Sequence, residues 1–185
     1  MIRWVLWILG GVLLGGIVHL ATVLAMPRAA TQDAYSRLTG VTPVNRMVAL
    51  PAPTAQQSLL PFLDPAFATA VCRYDLSAGS IKLNAPVSDA YTSVTFYSRD
   101  SVAYYAINDR AAGRRAIELD LMTPEQRAQV PEEEDVTAAD RLIIESPTLS
   151  GLIVLRALAR EPSLMAMARR ALANAQCRIE PLPTQ

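Results

Sequence analysis

Hydrophobic and polar positions follow three rhythms along this chain. The first is unbroken apolarity: Trp4 to Met26, directly after Arg3, runs for 23 positions without a formal charge. A helix rises about 1.5 Å per residue, so this run spans about 35 Å. That exceeds the hydrocarbon core of a bilayer, about 30 Å thick. Trp4, Trp7 and Arg3 at one end suit a membrane–water interface, and Pro27 and Arg28 close the other. Residues 1–26 are therefore expected to be a transmembrane anchor or a signal-peptide-like segment. Val23-Leu24-Ala25 offers small residues for cleavage before Met26, whereas the apolar run is longer than a usual signal core. Both readings export the chain.

The second rhythm is broken by proline. Residues 27–65 hold Pro27, Pro43, Pro51, Pro53, Pro61 and Pro65, which resist helix and central strand. This segment reads as an extended stalk. Its apolar residues, among them Val44, Met47, Leu50, Leu59, Leu60 and Phe62, imply that part of it packs along the next domain.

The third rhythm, over 66–180, alternates in twos. Val71 to Leu76, a Ser77-Ala78-Gly79-Ser80 turn and Ile81 to Leu83 suggest a hairpin. Tyr91 to Tyr97 is rich in β-branched and aromatic residues. Ser98 to Ser101 turns the chain back into Val102 to Ile107, with Tyr104 and Tyr105 expected on opposite faces. Arg115 to Leu121 alternates most cleanly: Ile117, Leu119 and Leu121 against Glu118 and Asp120. Thr123-Pro124-Glu125-Gln126 carries the residues of a helix start, with Pro131 ending a short helix. Leu142 to Glu145 is a further strand. Gly151 to Leu158 fits a buried strand, with helix as the alternative. Pro162 opens a helix reaching about Cys177, with Leu164, Ala168, Ala171, Leu172 and Ala175 on one face. Short strands joined by turns predict a mainly β protein: an antiparallel β-sandwich with a C-terminal helix, followed by a tail at 181–185.

Composition narrows the function classes. The formal net charge is zero, which argues against nucleic acid as a partner. The only histidine is His19, inside the apolar run. The remainder therefore lacks the base of a Ser-His-Asp or Cys-His system and the usual zinc ligands. No phosphate-cradling glycine motif occurs. The run Glu132-Glu133-Glu134-Asp135 lacks the spaced ligands and glycine of a calcium loop and reads as a solvated turn. Glu118 and Asp120 share a strand face, as alternation alone predicts. No catalytic residue, metal ligand or cofactor site is expected.

Three features remain. Cys72 and Cys177 make an even count, which in an exported protein suggests one disulfide from the first core strand to the end of the last helix. Gly11 and Gly15, continued by Val18 and Thr22, form a small-residue stripe that suits a helix–helix contact, either self-association or a partner's anchor. The tyrosines Tyr91, Tyr97, Tyr104 and Tyr105 fall on adjacent expected strands. They would line a ligand cleft or cover the open end of the core.

The stretch Cys72-Arg73-Tyr74-Asp75-Leu76-Ser77-Ala78-Gly79 with Ile81-Lys82-Leu83 resembles the bacterial domain of unknown function family 1254. So do Tyr91-Thr92-Ser93-Val94 and the stretch Asp140-Arg141-Leu142-Ile143-Ile144-Glu145-Ser146-Pro147-Thr148, and Arg156 resembles a further family position. The resemblance covers roughly residues 66–160. It implies a β-sandwich and a frequent companion domain, expected here on a separate, similarly anchored protein. It supplies no reaction. The leading expectation is a non-catalytic accessory protein, single-pass in the bacterial inner membrane, with its C-terminal domain in the periplasm. Its partners would be membrane lipid and a companion-domain membrane protein or a second copy met through the anchor. The alternative is a small-ligand or carbohydrate-interacting domain, with weak hydrolase activity alongside its companion. A cytosol-facing regulator is the third.

Overall fold

The computed structural model describes residues 1–29, 33–54, 58–88, 90–112, 116–130 and 142–181. The chain divides into two units, Met1–Asp33 and Ala34–Gln185. The first is a single helix, α1, Ile2–Ala29. Its Ile2–Met26 stretch is long and apolar enough to cross a membrane, a criterion that a signal sequence also meets. The Thr22 hydroxyl donates to the Val18 carbonyl at 2.8 Å, so this polar group is satisfied within the helix.

The second unit is mainly β. After the short helix α2 (Ala34–Leu38) come β1 (Met47–Ala49), β2 (Phe67–Asp75), β3 (Ser80–Pro86), β4 (Thr92–Ser98) and β5 (Ala103–Asn108). Then follow α3 (Asp109–Ala112), β6 (Ala116–Met122), α4 (Pro124–Arg127), β7 (Leu142–Glu145), β8 (Ser150–Leu158), α5 (Met165–Ala173) and β9 (Gln176–Glu180). One sheet has the order β1-β2-β8-β4-β5 and the other β7-β6-β3-β9. All pairs are antiparallel except β6 with β7, which run parallel.

The two sheets bury one core. Cys72, Tyr74, Val94, Phe96, Ile153 and Leu155 of the first sheet meet Ile81, Leu83, Ile117, Leu119, Leu121 and Ile144 of the second. Alternation in β4 is strict: Thr92, Val94, Phe96 and Ser98 are buried and the residues between them are not. Strand β8 lies between β2 and β4, which explains its almost continuous apolar sequence and resolves its ambiguity in favour of strand. At one end the inward residues are Ala68, Ala70, Ala157 and Ala159, and their small side chains leave room for α5 to bury Ala168 and Leu172 in the same core.

The packing expected of part of the 27–65 segment is extensive. Strand β1 pairs with β2, and Leu38 and Leu50 join Val71 and Leu152 in a second buried cluster on the outer face of the first sheet. Arg73 fastens this cover: its Nη1 donates to Thr39 Oγ1 at 2.9 Å, and its guanidinium lies 5.2 Å from the Tyr35 ring centroid.

Three local expectations are corrected. Residues 71–83 do not form a hairpin. Strands β2 and β3 flank the turn but belong to opposite sheets, so the turn arches across the core. Turn residues encode the reversal and not the pairing partner, which distant strands decide. The last helix stops at Ala173 rather than near Cys177, which lies on strand β9 beside Leu83. Tyr104 and Tyr105 do not face opposite ways: both pack on the core and flank the Phe96 ring, at 6.2 and 6.0 Å between centroids. An irregular register between Phe96 and Tyr97 adds a residue to β5 and breaks the alternation there. The Thr123 capping box forms as its residues suggest, and Gln126 Nε2 also donates to the Leu76 carbonyl at 2.8 Å. Pro131 and the acidic run 132–135 lie outside the described residues.

Candidate functional site

Cys72 on β2 and Cys177 on β9 are joined by a disulfide, with 6.3 Å between their Cα atoms. Both are buried in the main core. The bridge links the two sheets and ties edge strand β9 to the interior of the opposite sheet.

A second constellation centres on Tyr74, fully buried on β2. Its hydroxyl lies 3.2 Å from the Tyr104 hydroxyl, 3.0 Å from Ser146 Oγ and 3.2 Å from the Tyr97 carbonyl. Ser146 Oγ donates onward to the Thr148 carbonyl at 2.6 Å. Each hydroxyl has one proton, so a chain running Tyr104 to Tyr74 to Ser146 to Thr148 satisfies all of them. Burial, reinforced by Tyr74, pushes the Tyr104 phenol well above its ordinary range. It stays protonated and serves as a donor, not as a base. Gly151 makes space for this hub, since an added Cβ would overlap the Tyr74 hydroxyl and the Tyr97 carbonyl.

The surface feature is a groove of 410 Å³ on the outer face of the first sheet, within the usual range for small-ligand sites, about 300–1,000 Å³. Strand register builds it. Thr69, Arg156, Ser93 and Asn108 stand side by side on β2, β8, β4 and β5, forming a polar rung across four strands. At about 4.8 Å per strand gap, the rung spans about 14 Å. Tyr91 and Phe67 form the groove's aromatic side, and Thr95, Ala106, Ile107 and Ala111 complete it. Among the described residues, Arg156 is the only charged one in the lining. Among the described residues, Arg156, Ser93 and Thr95 have no side-chain hydrogen bond or ion pair. The Asn108 amide oxygen accepts from the Ala111 backbone N–H at 3.0 Å, starting α3 and leaving Nδ2 as a donor.

The residues singled out from the sequence thus separate. Gly11, Gly15, Val18 and Thr22 lie on α1, where an added Cβ at either glycine meets nothing within 4 Å. The four tyrosines do not form one cluster. Tyr104 and Tyr105 turn into the core, Tyr97 packs under the N-terminal cover, and only Tyr91 reaches the groove. Glu118 is exposed and accepts from Asn84 Nδ2 at 2.7 Å, whereas Asp120 is buried opposite Lys82. Among the described residues, no group of three His, Cys, Asp or Glu side chains is placed to hold a metal ion. Sequence reasoning missed Ser93, Thr95 and Asn108. Their alternation on β4 and β5 could have placed them on one face, but not beside Arg156.

Residues 44–181 match the family model described as a protein of unknown function, DUF1254. The chain belongs to the DUF1254 family. The match extends the resemblance upstream to include β1 and downstream to include β9, so DUF1254 covers both sheets and the disulfide. No curated protein matches the chain. Among solved structures, the chain is similar to the VPA0106 protein of Vibrio parahaemolyticus, with a TM-score of 0.57 and 12% identity over 82% of this chain. It is also similar to an uncharacterized protein from Burkholderia cenocepacia, with a TM-score of 0.48 and 15% identity over 75% of this chain. The Vibrio likeness bears on the fold alone. The chain spans 38% of the Vibrio protein and 36% of the Burkholderia one.

Proposed function

We propose that this DUF1254 chain is a single-pass protein of the bacterial inner membrane, with its sandwich in the periplasm as a non-catalytic interaction module for another envelope protein. The Cys72–Cys177 disulfide carries this reading. Such bonds persist in oxidising compartments and are rare in the cytosol of mesophiles. An apolar helix ahead of a disulfide-bonded domain is what export and tethering require. The companion domain implied by the family resemblance is the first candidate for the partner.

Two measurements test this. Thiol labelling of denatured protein from intact cells should find both cysteines blocked until a reductant is added. Free thiols in freshly quenched cells would place the sandwich in the cytosol. Purification in mild detergent should then retain a stoichiometric protein partner. Loss of that partner on Gly11→Leu with Gly15→Leu assigns the contact to the helix, and retention assigns it to the sandwich. A partner-free monomer overturns the interaction role.

A further inference from the structure

We infer that the groove over Arg156 is a binding site for a sugar acid, a small ring-shaped polyol carrying one carboxylate. The reading is independent of the proposed protein partner. Three observations converge on it. First, Arg156 is exposed, is the sole charge lining the groove, and has no carboxylate partner among the described residues. A guanidinium with its fork unengaged fits a carboxylate through two parallel hydrogen bonds.

Second, the groups beside Arg156 are short, neutral and unsatisfied. The Ser93 and Thr95 hydroxyls both donate and accept, and Asn108 Nδ2 donates. Strand register fixes their places. Ser93 is directly across from Arg156 on one side and from Asn108 on the other, and Thr95 lies one same-face step along β4. Such a row matches the hydroxyls of a polyol. Among the described lining residues it offers no second cation for a doubly charged phosphate.

Third, the neighbouring rung is apolar. Phe67 pairs with Leu158, and the Tyr91 carbonyl accepts from the Leu158 N–H at 2.8 Å, so two aromatic side chains flank the polar row. A sugar ring has a polar edge and a C–H face. The polar edge would meet the rung while the C–H face lies on Phe67 or Tyr91. Rigid strands set all these positions, and most of the opposite half of this sheet face is already covered by the N-terminal segment.

The test is calorimetric titration of the full chain in non-ionic detergent with sodium glucuronate, glucose and sodium acetate. Glucuronate should bind saturably, with glucose and acetate each at least tenfold weaker. Arg156→Gln should weaken glucuronate at least tenfold with an unchanged unfolding midpoint, because this side chain is exposed. Ser93→Ala should weaken it severalfold while leaving acetate unchanged. No saturable glucuronate binding, equal binding of glucuronate and acetate, or an indifferent Arg156→Gln variant would each overturn the site. Disulfide state and partner co-purification are unaffected by these substitutions, so failure here is distinguishable from failure of the interaction role.

Discussion

Gly151 shows how one missing methyl sets a network. Its Cα faces the Tyr74 hydroxyl and the Tyr97 carbonyl at a distance that no Cβ can share. Gly151→Ala should therefore destabilise the protein by at least about 1–3 kcal/mol, since backbone as well as side chain must shift. Tyr74→Phe should cost about 1–3 kcal/mol by stranding buried partners. Combining the two should relieve only part of the alanine's cost, because the Tyr97 carbonyl still blocks it. Denaturant titration of the three variants reads all of this. Asp75 offers a second residue-scale test. Its carboxylate accepts from the Ser77 hydroxyl at 2.5 Å and the Ser77 N–H at 2.9 Å, which lowers its pKa. A lowered folded pKa adds stability above the unfolded pKa and loses it as pH falls through the folded one. Ser77→Ala should raise the Asp75 pKa. Wild-type and variant stabilities should differ near neutral pH and converge in acid. Carbon-detected NMR of the carboxylate checks the shift.

At the scale of elements, the disulfide has the clearest consequence. It closes a loop with a sequence separation of 105, for which chain entropy gives about 4–5 kcal/mol. Cys72→Ala with Cys177→Ala should lower stability by up to that amount, and hydrogen exchange should rise first in β9, which among the described residues pairs with β3 alone. How far the elements were legible depends on how local their causes are. The strand at Ala116–Met122 follows from Ile117, Leu119 and Leu121 alone, and the α4 start from Thr123 and Gln126. Strand β9 was hidden because Ala175 continues the apolar face of α5, and Asn174 ends the helix without a proline or glycine to announce it. The arch at Ser77–Gly79 has the residues of a hairpin turn. Only pairing of β2 with β8, and of β3 with β6, separates them into two sheets. The groove was the least legible feature. Ser93, Asn108 and Arg156 each follow ordinary alternation, and only the strand order brings them together.

At the scale of the whole molecule, the sandwich depends on chain upstream of its first long strand. Leu38 and Leu50 cover Val71 and Leu152, and Tyr35 and Thr39 hold the Arg73 guanidinium. A protein trimmed to 34–185 should unfold cooperatively, whereas one trimmed to 66–185 should be markedly less stable and prone to associate. The latter exposes that apolar face and opens the β2 edge that β1 occupies. Sedimentation and urea unfolding of the two fragments distinguish these outcomes. The position of the disulfide also determines how the molecule answers force. Tension applied through α1 enters the sandwich at the N-terminal cover and the three-residue strand β1, which should peel first. It then reaches Cys72, where the covalent link passes it to Cys177 and spares the chain between. Stretched between its ends, the oxidised protein should release about 350 Å less chain than the reduced one. With the bridge intact, load can separate the sheets, but the chain between Cys72 and Cys177 adds nothing to the extended length.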